Sequence, residues 1–184
     1  MKILGIGNAI VDVLCKVTDD FLTQNSLTKS TMKLVDEKEF NNLISSLKIE
    51  ETISGGSVAN SIVGLSHLKN DVAFIGKIND DTFGKMYEES LILKDVNYYY
   101  EKKKEEFPTG VCIVLITPDA ERTMCTHLGV AGKISEKDIL KYLNTKTDFL
   151  TMINNIKPPN LAFHPVSKDV NNPDNNRENL IDQI

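Results

Sequence analysis

Apolar positions along this chain fall into short runs whose period switches between that of a strand and that of a helix. Residues 2–6 form a short apolar run that ends in Gly5-Ile6-Gly7-Asn8 and predicts a buried strand. Residues 10–17 are rich in β-branched side chains and carry one acid, Asp12, among Val11, Val13 and Leu14. Residues 31–35 predict a short extended segment. Residues 36–47 then take helical spacing, with Phe40, Leu43, Ile44 and Leu47 on one face and Asp36 as N-cap. A second helical run, 57–68, places Val58, Ile62, Leu65 and Leu68 together. Residues 72–75 predict a strand ending at Gly76. Residues 81–93 predict a helix with Phe83, Met86, Tyr87 and Leu91 inward. Residues 97–100 and 110–117 predict strands. Thr117-Pro118-Asp119-Ala120 is a turn, and 122–127 returns as the second arm of a hairpin.

Strands alternating with helices predict an α/β layered fold with a mainly parallel sheet. The strands at 10–17, 31–35, 98–117 and 122–127 do not fit simple alternation, so they predict a small second sheet attached to the main one. Composition changes after about residue 147. Four of the six prolines, Pro158, Pro159, Pro165 and Pro173, lie beyond it, with Asn-rich pieces such as Asn171-Asn172-Pro173-Asp174-Asn175-Asn176. The expected organisation is a folded part, 1–147, and a divergent tail, 148–184, that is disordered or loosely packed.

The chemistry concentrates at Ile53-Ser54-Gly55-Gly56-Ser57-Val58-Ala59-Asn60. Paired glycines let a backbone turn tightly and let a ligand approach it. A helix opening directly after them aims free N–H groups and a positive dipole end at whatever sits there. Asn60, about one turn into that helix, could reach the same ligand. From these residues alone, a plain strand-to-helix turn with a solvated Asn explains the pattern as well.

Composition removes several classes. The 184 residues are 41% hydrophobic and 26% charged, ordinary for a globular domain. Net charge is −5 and Lys102-Lys103-Lys104 is flanked by Glu101, Glu105 and Glu106, so nucleic acid is not an expected partner. No apolar run approaches the roughly 20 residues of a membrane span, and the N-terminus reaches glycine too soon for a signal peptide. Cys15, Cys112 and Cys125 match neither a zinc spacing nor a disulfide framework. No metal site is expected, and buried thiols point to the cytoplasm.

Other candidates divide between ligand and structure. Gly5-Ile6-Gly7-Asn8-Ala9-Ile10 begins like a dinucleotide fingerprint, but Ile10 stands at the third glycine position and strand follows. An acid among apolar neighbours is costly to bury unless hydrogen-bonded, so Asp12 suits either a hydroxyl-rich ligand or local backbone amides. In Gly76-Lys77-Ile78-Asn79-Asp80-Asp81-Thr82-Phe83-Gly84 the acids read first as helix caps, by Asp81 or Thr82. Arg122 is a candidate anion binder or a solvent-facing hairpin residue. His127 reads as structural, and His67 as a surface residue at a helix end.

Four motifs in order resemble one family: Gly-x-Gly-Asn-x-x-x-Asp (5–12), Gly-Gly-Ser-x-x-Asn (55–60), Gly-Lys-x-x-Asp-Asp-x-x-Gly (76–84) and Thr-Pro-Asp-x-x-Arg-Thr-Met (117–124). The pattern resembles the ribokinase-like, or PfkB, sugar and nucleoside kinases, within them the adenosine-kinase-type bacterial branch, over about residues 1–147. The resemblance implies a three-layer α/β sandwich with a small β-sheet lid, the lid strands being the ones that broke the alternation. It implies that Asp12 hydrogen-bonds sugar hydroxyls with Asn8 beside it, that Gly55, Gly56 and Asn60 hold the sugar from the other side, and that Arg122 approaches the transferred phosphate. Cys15, Met32 and Leu34 would be lid residues near the base or ring. ATP and Mg are implied for the intact family enzyme.

The family's Gly-Ala-Gly-Asp-type motif, which supplies the anion hole and the catalytic Asp, has no counterpart here. Phosphoryl transfer rests on positioning and charge stabilisation. The expectation is therefore a chain truncated before the nucleotide-binding half, with no catalytic residue of its own and no ATP or Mg bound by it alone. It would bind a sugar or nucleoside, act with a complementary C-terminal chain, and leave a sheet edge open to pairing. The alternatives are a non-catalytic remnant or pseudoenzyme, and an interaction module that forms a homodimer through lid strands.

Overall fold

Two sheets divide the strands of this computed structural model, which describes residues 2–143. In chain order the elements are β1 (Lys2–Ile6), β2 (Ile10–Lys16), α1 (Asp19–Gln24), β3 (Met32–Leu34), α2 (Glu37–Ser45), β4 (Ile49–Gly55), α3 (Ser57–His67), β5 (Asp71–Ile75), α4 (Thr82–Ile92), β6 (Asn97–Tyr98), β7 (Gly110–Ile116), β8 (Arg122–His127), a 3₁₀ turn (Gly129–Lys133) and α5 (Glu136–Leu143). The expected tail, 148–184, lies outside the described residues.

The first sheet is parallel, in the order β1-β5-β6. Its central strand β5 buries Val72, Ala73, Phe74 and Ile75 in one continuous run. That is the composition of a parallel strand covered on both faces. The second sheet has the order β3-β8-β7-β2-β4 and is mixed. The β7–β8 hairpin and the β2–β4 pair are antiparallel, while β2–β7 and β3–β8 are parallel. The expected extra strands do gather in it, with one adjustment. In the stretch 98–117, Tyr98 pairs with Phe74 in the parallel sheet and only Gly110–Ile116 joins the mixed one.

Strand β4 completes that mixed sheet and was not expected. Its sequence, IEETISG, offers little apolar surface because it is an edge strand, exposed over most of its length. α1 also escapes a periodicity argument, being six residues long, although Thr18 caps it. The caps of the longer helices follow the sequence. The Asp36 carboxylate accepts from the Glu39 N–H at 2.8 Å, and Asp81 from Gly84 N–H at 2.8 Å.

A main core unites the elements, and a smaller cluster of Ile10, Cys112, Val114 and Ala131 has Leu14, Ile116 and Leu128 packed against it. On β2, Val11, Val13 and Cys15 are fully buried and meet Val111, Ile113 and Leu115 of β7 across the parallel register. α4 adds Tyr87 and Leu91, both fully buried. α3 buries Ala59 and Ile62, but Leu68, expected on the same face, is 74% exposed. The helix stops one residue earlier, and Lys69 turns the chain away at φ 63°. The three cysteines are free and buried.

Candidate functional site

β2 has a period of two, so the even-numbered Asp12 faces away from the core that its neighbours Val11 and Val13 fill. Its carboxyl is half-buried, and burial pushes its pKa above the ordinary aspartate value. Among the described residues no side chain or backbone N–H donates to it. A charged group in that state calls for a donor from elsewhere.

The paired-glycine turn lies against it. Gly55 pairs with Ile10 at the end of the β2–β4 ladder. A Cβ at Gly55 would stand 2.2 Å from Asp12 Oδ2, inside the carboxylate. Gly56 takes φ 94°, and a Cβ there would stand 2.7 Å from the Asn8 carbonyl oxygen. Only glycine permits this backbone and these approaches. α3 opens immediately afterwards with Gly56 at its N-cap, and no side chain among the described residues caps its first N–H groups. The structure thus brings Asn8, Asp12, Gly55 and Gly56 together. Asn60 is exposed in the first turn of α3, its N–H bonded to Gly56 O at 2.9 Å.

The register shows what surrounds Asp12. It pairs with Ile53 of β4 and Cys112 of β7; Cys112 pairs with Thr126, and Thr126 with Leu34. The adjacent row runs Leu14, Val114, Met124, Met32. Met32, Leu34, Ile53 and Met124 are 58%, 57%, 40% and 37% exposed. Between them Cys112, Val114 and Thr126 are only 5%, 8% and 9% exposed, so Asp12 sits on a largely apolar sheet face that is open at Met32, Leu34, Ile53 and Met124 and covered at its centre. Burial, with the Asp12 charge adding to it, pushes the Cys112 thiol up to about 11.

Two expected neighbours of the ligand lie elsewhere. Cys15 is fully buried on the core face, since it shares the parity of Val11 and Val13. Met32 and Leu34 do lie on the Asp12 face. Arg122 pairs with Ile116, four residues along β7 from Cys112, which is about 13 Å along the strand. It is exposed and not beside Asp12. The 76–84 segment is structural. Asp81 Oδ1 accepts from Gly84 N–H and the Thr109 hydroxyl, and Oδ2 accepts from Thr109 N–H at 2.9 Å. Asn79 ties the loop to Phe107 O at 2.9 Å. Lys77 is buried between Glu105 and Asp138. His127 is buried against Phe40, with Nδ1 3.4 Å from Val35 O.

Cys112, Thr126, Val114 and Leu14 were missed as site-lining residues. Strand parity could have found them once β7 was paired beside β2. Among the described residues no group of three His, Cys, Asp or Glu side chains could hold a metal ion, and no helix is long and apolar enough to cross a membrane.

Comparison with known proteins gives this geometry a lineage. A family model described as pfkB family carbohydrate kinase matches residues 27–169, starting beyond Asn8 and Asp12 and continuing past 147. A probable sugar kinase from Rhizobium etli CFN 42 superposes with TM-score 0.69 at 32% identity, over 74% of this chain and 42% of that one. Adenosine kinase from Sinorhizobium meliloti does so with TM-score 0.69 at 30% identity, over the same shares. Adenosine kinase 2 of Arabidopsis thaliana is 29% identical over 137 residues, 71% of this chain and 39% of that protein. The chain thus spans about two fifths of the length of these relatives, and its mixed and parallel sheets are those of part of a ribokinase-like α/β fold. The chain belongs to the pfkB family of carbohydrate kinases.

Proposed function

We propose that this chain supplies the acceptor-binding part of an ATP-dependent kinase that phosphorylates a hydroxyl of a nucleoside or sugar. The observation that carries the reading is the Asp12 carboxylate: half-buried, without a protein donor among the described residues, and packed against Gly55. A pair of ligand hydroxyls would donate to it, and the first-turn N–H groups of α3 and Asn60 would take the ligand's other polar atoms. The five-stranded sheet is the lid over that ligand. Its apolar strip beside Asp12 favours a nucleoside, whose base would cover Leu14 and Met124, over a bare sugar. Arg122, at the strip's far end, would approach the phosphoryl group only after the lid moves.

ATP and Mg enter this reading through the family. The described residues offer no metal-ligand cluster, and no Gly-Ala-Gly-Asp-type motif occurs in the 184 residues. The proposal therefore gives this chain binding and leaves transfer to a C-terminal half, in the same or a separate polypeptide. Calorimetric titration with adenosine and with ribose tests it. Adenosine should bind, ribose more weakly, and Asp12→Asn should weaken both. Equal binding by wild type and Asp12→Asn, or none by wild type, would overturn the reading. Incubation with ATP and adenosine should give no turnover by these 184 residues alone.

A second reading uses the same face differently. Met32, Leu34 and Met124 are more exposed than isolated surface residues need be, so a second copy of the chain could cover them as a homodimer. Light scattering of the chain with and without Met32→Asp tests it.

A further inference from the structure

Along the inner face of α4 and just past its end lie three side chains with polar tips, Tyr87, expected inward, and Ser90 and Lys94, which the apolar pattern does not place there. Tyr87, Ser90 and Lys94 follow one another at helical spacing down the helix and just past its end. All three engage the last two residues of β4. The Tyr87 hydroxyl donates to the Gly55 carbonyl at 3.3 Å. Ser90 Oγ and Ser54 Oγ share a hydrogen bond at 2.8 Å, and Lys94 Nζ donates to Ser54 Oγ at 2.9 Å. The far end is anchored as well: Ser66 of α3 donates from Oγ to Lys94 O at 2.7 Å. The end of β4 and the far end of α3 are thus both tied to α4 and the residues just past it.

Tyr87 is the central member. It is fully buried, and a buried phenol places its hydroxyl where a partner is needed. Its ring is fixed by Phe74 and Tyr98, with centroids 6.3 and 6.2 Å away. The Gly55 it holds is the residue whose Cα face receives the Asp12 carboxylate.

We propose that Tyr87 is a positioning residue for the acceptor-binding site, its hydroxyl holding the Gly55 peptide and so the wall against which the Asp12 carboxylate packs. The link to ligand binding rests on the reading of Asp12 given above; the link to Asp12 itself does not. Burial raises the Tyr87 phenol, and the charge of Asp12 adds to it.

Tyr87→Phe tests it, because the ring and its packing remain. The first arm is a pH titration of carboxyl-13C aspartate by NMR, with the Asp12 signal assigned by its loss in Asp12→Asn. In Tyr87→Phe the Gly55 peptide relaxes and water reaches the carboxylate, so the Asp12 midpoint falls toward the ordinary aspartate value. The second arm is adenosine titration, where Tyr87→Phe weakens binding roughly five-fold, the net weight of one hydrogen bond. An unchanged Asp12 midpoint overturns the proposal, whatever the binding result. A moved midpoint with unchanged adenosine binding overturns its ligand part. Absence of adenosine binding by wild type sinks the kinase reading alone, and the NMR arm still decides the role of Tyr87.

Discussion

The Asp12 carboxylate occupies the space that a side chain at Gly55 would need: a Cβ there would lie 2.2, 2.4 and 2.7 Å from Oδ2, Cγ and Oδ1. The two positions are 43 residues apart (55 − 12) and adjacent in space. Gly55→Ala should therefore act through Asp12. We expect it to cost about 1–3 kcal/mol by overpacking and to weaken adenosine binding at least as much as Asp12→Ala does. In Asp12→Ala the obstruction is gone, so adding Gly55→Ala should cost little more. Urea unfolding and calorimetry on the two single variants and the double variant measure this coupling. Additive effects would separate the two residues.

The same carboxylate makes stability depend on pH. Its pKa is raised in the folded chain by burial, so the folded state favours the protonated acid. That contribution is fully present below the unfolded-state value and is lost as pH rises through the folded-state value. At neutral pH ionised Asp12 thus opposes folding. Asp12→Asn should melt higher than wild type at pH 7, and the gap should close as pH falls into the acid range. Adenosine binding should show the opposite trend, strengthening in wild type as Asp12 ionises. Melting curves at stepped pH on both proteins decide the first point. A variant less stable than wild type at pH 7 would mean that Asp12 is held by the protein rather than kept for a ligand.

How much of this was legible beforehand depends on what each residue signals alone. The strands β2, β5 and β7 declare themselves because they bury apolar side chains, and β1 and β8 through their short extended runs beside glycine and turn signals. β4 does not, since an edge strand with Glu50 and Glu51 facing water carries no such period. The glycine turn and Asp12 stand out individually, through backbone freedom and an acid in apolar company. Their neighbours do not. Cys112 and Thr126 join the site only through the β2–β7–β8 register, which no local pattern fixes. Parity alone would have turned Cys15 inward once Asp12 was taken as outward. Arg122 could be assigned to the hairpin but not to a distance, because strand stagger sets that distance.

Asp81 links the start of α4 to the start of β7, and its loss should be costly. One carboxylate caps α4 through Gly84 and satisfies both the N–H and the hydroxyl of Thr109, which is fully buried. Asp81→Ala removes an N-cap, about 1 kcal/mol, and leaves two buried donors unmet, about 1–3 kcal/mol in all. The sum expected is roughly 2–4 kcal/mol in urea unfolding. Asp81→Asn keeps one acceptor oxygen but sets an amide N–H against one of these donors, so it should lose less than Asp81→Ala but not keep the wild-type stability. Equal losses from the two variants would show that charge, not the acceptor geometry, is what α4 needs there.

The apolar strip separates a nucleoside from a bare sugar. Leu14 and Met124 lie in the row next to Asp12, Leu14 half-buried and Met124 37% exposed. A base lying on them would bury a few CH₂ equivalents of surface that ribose, held at Asp12, would not reach. At about 0.8 kcal/mol per buried CH₂, Met124→Ser should weaken adenosine binding by roughly ten-fold while leaving ribose binding unchanged. The residue makes no hydrogen bond to Asp12 or Gly55, so the ribose result also guards against a general distortion of the site. Parallel losses for adenosine and ribose would argue that the strip shapes the site without touching the base. A drop in light-scattering mass on the same substitution, with neither ligand affected, would instead give the face to a second copy of the chain.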